Sequence, residues 1–106
     1  MASMKVYHDP ETTFREAKTR EEVLKAASRS LVVAAVKGRD LDLAFQLTNH
    51  IDKPWWENEG VIAVPGEHRS TSVGDFINLL DPENDVEIFY QIASFGFTEI
   101  DRNKFF

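Results

Sequence analysis

Apolar residues along this chain alternate, then recur at helical spacing, then alternate again. Met4-Lys5-Val6-Tyr7-His8 alternates and stops at Asp9-Pro10, the pattern of a strand closed by a turn. Thr13 and Glu16 have capping-box spacing with Phe14 and Ala17 behind them, so one or two helical turns fit there. Thr19-Arg20-Glu21-Glu22 is a fuller capping box. Thr19 can accept from the Glu22 amide, and Glu22 can reach back to the Thr19 amide. Val23, Leu24 and Ala27 then share a stripe, which predicts a helix from Arg20 to about Ser28. Leu31 to Val36 is β-branched and apolar on both sides. That is the composition of a strand buried on both faces, so it is expected at the sheet centre. Asp40 caps a helix from Leu41 to about Asn49, with Leu41, Ala44, Phe45 and Thr48 on one face and Leu43, Leu47 and Ile51 beside it.

The second half changes character. His50 to Pro54 must leave the helical region before the proline. Trp55-Trp56 and the charged run Glu57-Asn58-Glu59 follow, then a short strand Val61 to Val64 closed by Pro65-Gly66. Residues 67–72 form a polar loop. Ser72 to Leu80 reads two ways: Val73, Phe76, Ile77 and Leu80 fit a helix, but Gly74 costs roughly 1 kcal/mol there, so a turn over Ser72 to Asp75 and a strand Phe76 to Leu80 are preferred. Asp81 to Asp85 is a turn, and Val86 to Ala93 alternates as the second arm of a hairpin. Phe95 to Ile100 returns as a last strand with Gly96 as its bend. Met1-Ala2-Ser3-Met4 reads as an added start before a natural one, so the single domain is expected over 4–106, with 1–3 as an extension. The expected fold is α+β, a mainly antiparallel sheet of about five short strands with two helices packed on one face.

Composition narrows the function. The chain has 106 residues, with 12 basic against 18 acidic side chains, a balance of −6. Apolar residues at 42% are enough for a core, which argues against a disordered chain. The absence of cysteine removes disulfides, thiolate metal sites and cysteine nucleophiles, and fits a reducing, cytoplasmic setting. No run approaches the ~20 apolar residues of a membrane span, and no signal sequence is visible. The acidic balance argues against direct nucleic-acid binding, which needs a basic face. No cofactor or metal is expected.

Two loops carry the candidate chemistry. Trp55 and Trp56, if extended, face opposite ways, so at least one is expected near the surface. Beside Glu57 and Asn58 an exposed Trp is an interface anchor; the packing alternative puts one ring on the sheet and the other over a domain edge. Arg69, Ser70, Thr71 and Ser72 offer donors around an anion nest that could hold a phosphate. The alternative is that Ser72 caps the Asp75 amide while Gly74 supplies a special backbone angle. His50, Asp52 and His68 could gather as ligands or acid–base partners, but His-x-x-x-His spacing is absent. His50 equally fits a helix end, where a charged imidazole stabilises the last carbonyls. The hydroxyls lack a Gly-x-Ser-x-Gly elbow.

The order of segments resembles a known family. The resemblance is carried by Leu31 to Val36, then Asp42-Leu43-Ala44-Phe45, Asn49, Ile51-Asp52 and Pro54. It continues through Arg69-Ser70-Thr71-Ser72-Val73-Gly74-Asp75, Tyr90, Ser94 to Ile100 and Phe105-Phe106. Together these are similar to the YodL-like domain, a small bacterial family also found in phage and plasmid proteins. The resemblance implies a cytoplasmic domain, often encoded near mobile-element or antirestriction genes, with no established enzymatic activity.

The resulting expectation is a non-enzymatic domain that binds a host protein through Trp55, Trp56, Glu57, Asn58 and Arg69 to Ser72. One alternative is an acidic inhibitor that mimics nucleic acid in the cleft of a defence enzyme. Its charges would come from Glu11, Glu16, Glu21, Glu22, Glu57, Glu59, Asp81, Glu83, Asp85 and Glu87. Another is a small ligand-binding domain or hydrolase using His50, Asp52, Arg69 and Ser70.

Overall fold

The alternation from Ser3 becomes the first strand, β1 (Ser3–His8), in a computed structural model that describes residues 2–50 and 53–100. The remaining elements are α1 (Arg20–Arg29), β2 (Leu31–Lys37), α2 (Leu41–Leu47), β3 (Val61–Ala63), β4 (Phe76–Asp81), β5 (Val86–Ile92) and β6 (Phe97–Ile100). Short 3₁₀ turns occupy Trp55–Glu57 and Pro82–Asn84. The strands form one six-stranded sheet in the order β3-β2-β1-β4-β5-β6, with every neighbouring pair antiparallel. The α+β class therefore holds, with one strand more than the pattern suggested. Ser3, set aside as part of an extension, is paired with Lys37 and Leu80.

The sheet centre is β1 and β4, not β2. Leu31 is 65% exposed and Val32 42%, because β3 pairs only with Ala34 to Val36 and leaves the start of β2 uncovered. β4 is buried at every position except Leu80, which is half-buried. The apolar run of β2 is continuous in sequence but shielded only over its second half.

The helices do not share a face. Met4 and Val6 pair with Leu79 and Ile77 and join Ala44 of α2 and Trp55 in the larger core. Tyr7 pairs with Phe76, and these pack with Val23 and Ala26 of α1, Phe89 and Ile100. Side chains alternate along a strand, so the two clusters lie on opposite faces. The reason is in the sequence: Tyr7, Phe76 and Phe89 make the second face apolar, and it needs its own cover.

The capping box of α1 forms with one change. Thr19 Oγ1 accepts from the Glu22 amide at 3.1 Å, while the Glu22 carboxylate accepts from the Lys18 amide rather than that of Thr19. The α2 cap at Asp40 forms as expected, accepting from the Leu43 amide at 3.2 Å. No helix forms around Thr13 to Glu16, because Phe14 adopts φ 61°, which a right-handed helix excludes. Ile51, expected on the α2 stripe, and Phe105-Phe106 lie outside the described residues.

Candidate functional site

β1 runs out at His8-Asp9 beside Asp75, the residue that opens into β4, and polar groups collect where the two central strands meet. Asp75 is fully buried. Its carboxylate accepts both Arg69 Nη atoms at 2.7 Å, the Asp9 amide at 2.9 Å and the Ser72 amide at 2.8 Å. Arg69 also donates to the carbonyls of Asp9 and Ser70, at 3.0 and 2.9 Å. The buried Asp9 carboxylate accepts Arg29 Nε and Nη2 at 2.6 and 2.9 Å and the Glu11 amide at 2.9 Å. Burial pushes the Asp9 carboxyl up, but the hydrogen bond from Arg29, the Glu11 amide and the nearby cations outweigh it and hold it below its ordinary value. Among the described residues no buried side-chain nitrogen or oxygen lacks a partner.

His8 completes the cluster from β1. Its Nε2 shares a 2.7 Å hydrogen bond with Thr71 Oγ1 and lies 4.0 Å from Asp75. Its ring meets Trp55 edge-on. Burial drives the imidazole down to about 4, against the pull of Asp75 and with help from Arg69 and His68. A hydroxyl, an imidazole and a carboxylate are thus adjacent, yet they do not form a relay. In a catalytic triad the acid bonds the ring nitrogen opposite the nucleophile. Here the hydroxyl and the acid approach the same nitrogen, and Thr71 is 2% exposed. The cluster is a cross-brace.

Of the donors expected around an anion nest, Arg69 and the Ser72 amide bond the Asp75 carboxylate, while Ser70 Oγ accepts from the His50 amide and Thr71 Oγ1 bonds His8. At Arg69 and Ser72 the Asp75 carboxylate takes the place an external phosphate would occupy. The Ser72 side chain does not cap Asp75; instead the Asp75 amide donates to the Ser72 carbonyl at 3.0 Å. Gly74 does supply a special angle, φ +93°, and a Cβ there would sit 2.7 Å from the Arg15 carbonyl oxygen. Gly74→Ala is therefore expected to cost about 2 kcal/mol or more. Chemical denaturation measures this, and faster amide exchange at Thr12 to Ala17 would show the loop lifting away.

The tryptophans sit on a 3₁₀ turn rather than extended backbone, so both rings stay on one side, 5.8 Å apart and edge to face. Trp55 is fully buried and donates Nε1–H to the Arg69 carbonyl at 2.8 Å. It is core and cannot be an anchor. Trp56 is half-buried, with His50 and His68 edge-on to it at 5.5 and 6.0 Å. His50 lies beyond the end of α2. Its Nδ1 accepts from the Trp55 amide at 3.3 Å, and its own amide donates to Ser70 Oγ at 2.9 Å. It therefore braces the Trp turn rather than the helix end. Asn58 donates to the Leu47 carbonyl at 2.9 Å, and Glu57 is exposed. Asp52 lies outside the described residues. Among those described, no group of three or more His, Asp or Glu side chains is placed to hold a metal ion, and no helix is long and apolar enough to cross a membrane.

Sequence reasoning missed the loop between β1 and α1. Phe14 is 59% exposed in the left-handed region, and the Arg69 guanidinium lies 5.5 Å from its ring centroid. The buried Gln91 side chain grips this loop by accepting from the Ala17 amide at 2.8 Å and donating to the Ala17 carbonyl at 3.0 Å. The contacts Phe14–Arg69, Arg69–Ser70, Ser70–His50, His50–Trp56 and Trp56–His68 therefore run as one ridge. A glutamine between Tyr90 and Ile92 in β5 was the one visible sign of the grip.

No family model matches the chain, and neither a curated protein nor a solved structure matches it.

Proposed function

We propose that this domain binds a partner protein through the ridge from Phe14 to His68. The observation that carries the reading is Phe14: a large apolar side chain held outward, on backbone that a non-glycine residue avoids. Such strain costs ~1–3 kcal/mol and gathers where a side chain is presented for use. Arg69 and Trp56 supply the residue types that dominate binding hot spots, and the polar rim of Ser70, His50 and His68 suits the edge of an interface. Trp55, Thr71 and Asp75 stiffen the ridge from beneath. The YodL-like resemblance extends the reading to a mobile-element accessory protein that acts on a host protein in the cytoplasm.

Phe14→Gly separates presentation from stability. Glycine accepts the left-handed angle, so the variant is expected to be more stable by about 1 kcal/mol while losing the partner. A photo-crosslinking residue at Trp56, read in cells of the source organism, should give a discrete protein adduct that Phe14→Gly abolishes. The same residue at the exposed Glu83, outside the ridge, should not. Identical adducts from both positions, or a Phe14→Gly protein that keeps the adduct, would count against the ridge.

A further inference from the structure

We infer that two copies of this chain pair edge to edge through β3, antiparallel about a two-fold axis at Ile62. The pairing is independent of the ridge. Among the described residues seven large hydrophobic side chains are exposed, and five of them, Leu31, Val32, Leu43, Ile62 and Val64, lie along the β2–β3 margin of the sheet or on α2 beside it. Leu43 and Leu47 of α2 line a groove of about 520 Å³ there together with Gly60, Val61 and Ile62. β3 is the outermost strand at this margin, and Gly60 to Gly66 is a run of seven residues without a charge. Edge strands are ordinarily guarded by charged side chains, and β6 at the opposite margin carries Glu99. β3 carries none. Its three residues, closed by Pro65, also confine any pairing to one short register.

The backbone register matches a second copy. The Val64 amide donates to the Val33 carbonyl at 2.8 Å, and Ile62 lies opposite Ala35. Backbone direction alternates along an antiparallel strand, so Ile62 and Val64 turn their polar groups toward β2 while Val61 and Ala63 turn theirs outward. No described residue pairs with β3 on that side. A second β3 laid antiparallel with Ile62 opposite Ile62 sets Val61 of each copy against Ala63 of the other. Both pairs then exchange both of their amide–carbonyl bonds. The axis falls on a non-hydrogen-bonded position, where Cα atoms approach to ~4.5 Å and side chains are closest. The two Ile62 side chains, each 71% exposed, cover one another. Glu59 of one copy falls opposite Pro65 of the other, so like charges do not oppose across the paired strands although each chain carries −6. A foreign strand meets the same two outward residues, but this edge has no charged or hydrogen-bonding side chain to select its sequence. A second copy supplies the register by symmetry and uses each apolar residue twice, and an apolar seam is the character of a homodimer interface.

The full chain has no cysteine, so Ile62→Cys introduces a single thiol. A two-fold axis at this position puts the two sulfurs within reach of a disulfide, which spans Cα atoms ~4.4–6.8 Å apart. Mild oxidation should link the protein into a dimer of twice 12.1 kDa, at least about tenfold faster than the same protein with its one cysteine at the exposed Glu83. Sedimentation equilibrium of the unaltered chain should show a monomer–dimer equilibrium. Ile62→Lys, at a site exposed enough to spare the fold, should weaken that equilibrium at least about tenfold. Equal oxidation rates at the two positions would overturn the pairing. So would a chain that stays monomeric at millimolar concentration, or a dimer that Ile62→Lys leaves intact. Assembly that runs on past the dimer would overturn it as well, because a two-fold contact closes. A monomer whose Val61 and Ala63 amides become protected from exchange only with a different protein bound would give the edge to a foreign strand instead, and equally overturn it.

Discussion

Asp75→Ala is expected to lower the stability of the domain by about 3–5 kcal/mol, the range for breaking a buried ion pair by removing one partner. The carboxylate is fully buried and is the common acceptor of Arg69, the Asp9 amide and the Ser72 amide. Removing it strands a guanidinium and two amide donors at the junction of the two central strands, and each lost partner carries its own desolvation penalty. Arg69→Ala should cost a similar amount from the opposite side, because it leaves a buried carboxylate uncompensated. The double variant Asp75→Ala/Arg69→Ala should then lose clearly less than the two single losses added together, since each single change already destroys the shared interaction. Urea denaturation of the three variants reads all of this. Additive losses, or a single loss below about 1 kcal/mol, would show that the pair does not act as the brace described.

Acid should begin to weaken the protein through His8. In the unfolded chain His8 takes up its proton near 6.5, whereas in the fold it does so only near 4. Between those values the unfolded state binds more protons, so stability is fully present above about 6.5 and is lost as pH falls toward 4. The full difference corresponds to roughly 3 kcal/mol. Asp9 has the opposite character: its depressed value means that its contribution is lost only as pH falls below the ordinary carboxylate range. The acid limb therefore has two stages, and His8→Gln should flatten the first while leaving the second. His68→Asn, which changes the other imidazole against Trp55, should leave the first stage in place. A pH series of denaturation midpoints distinguishes the two variants, and a first stage that survives in His8→Gln would rule out His8 as its source.

The strands and helices were largely legible, because each is a local pattern. Alternation located β1 and β5, the cost of Gly74 in a helix decided for β4, and the caps at Thr19 and Asp40 located both helices. The centre of the sheet was not legible. Whether the apolar run of β2 is covered depends on how far β3 extends beside it, and β3 is a non-local partner of only three residues. The division of the helices between two faces failed for a related reason. The second apolar face is assembled from Tyr7, Phe76, Phe89 and Ile100, one residue from each of four strands.

The site was legible by residue and illegible by role. Trp55, Trp56, Arg69, Ser70 and Thr71 do come together, joined by His50 and His68. Yet nothing local says that Trp55 turns inward, or that Asp75 is the acceptor for Arg69 and the Ser72 amide. The importance of His8 and Phe14 depended on partners 63 residues away at Thr71 and, for Phe14, at Arg69.

The way Gln91 holds the Phe14 loop bears on how this protein could change over generations. The grip is on the Ala17 amide and carbonyl, and the close approach of Gly74 is to the Arg15 carbonyl. All three contacts are to main chain. The side chains at Thr13, Arg15 and Glu16 can therefore be exchanged without touching what fastens the segment, while Gln91 and Gly74 cannot. Such a lineage can retarget its surface by substitution within one short stretch as its partner escapes, on a scaffold that stays the same. The same property makes this segment the natural place to randomise in a library built on the domain.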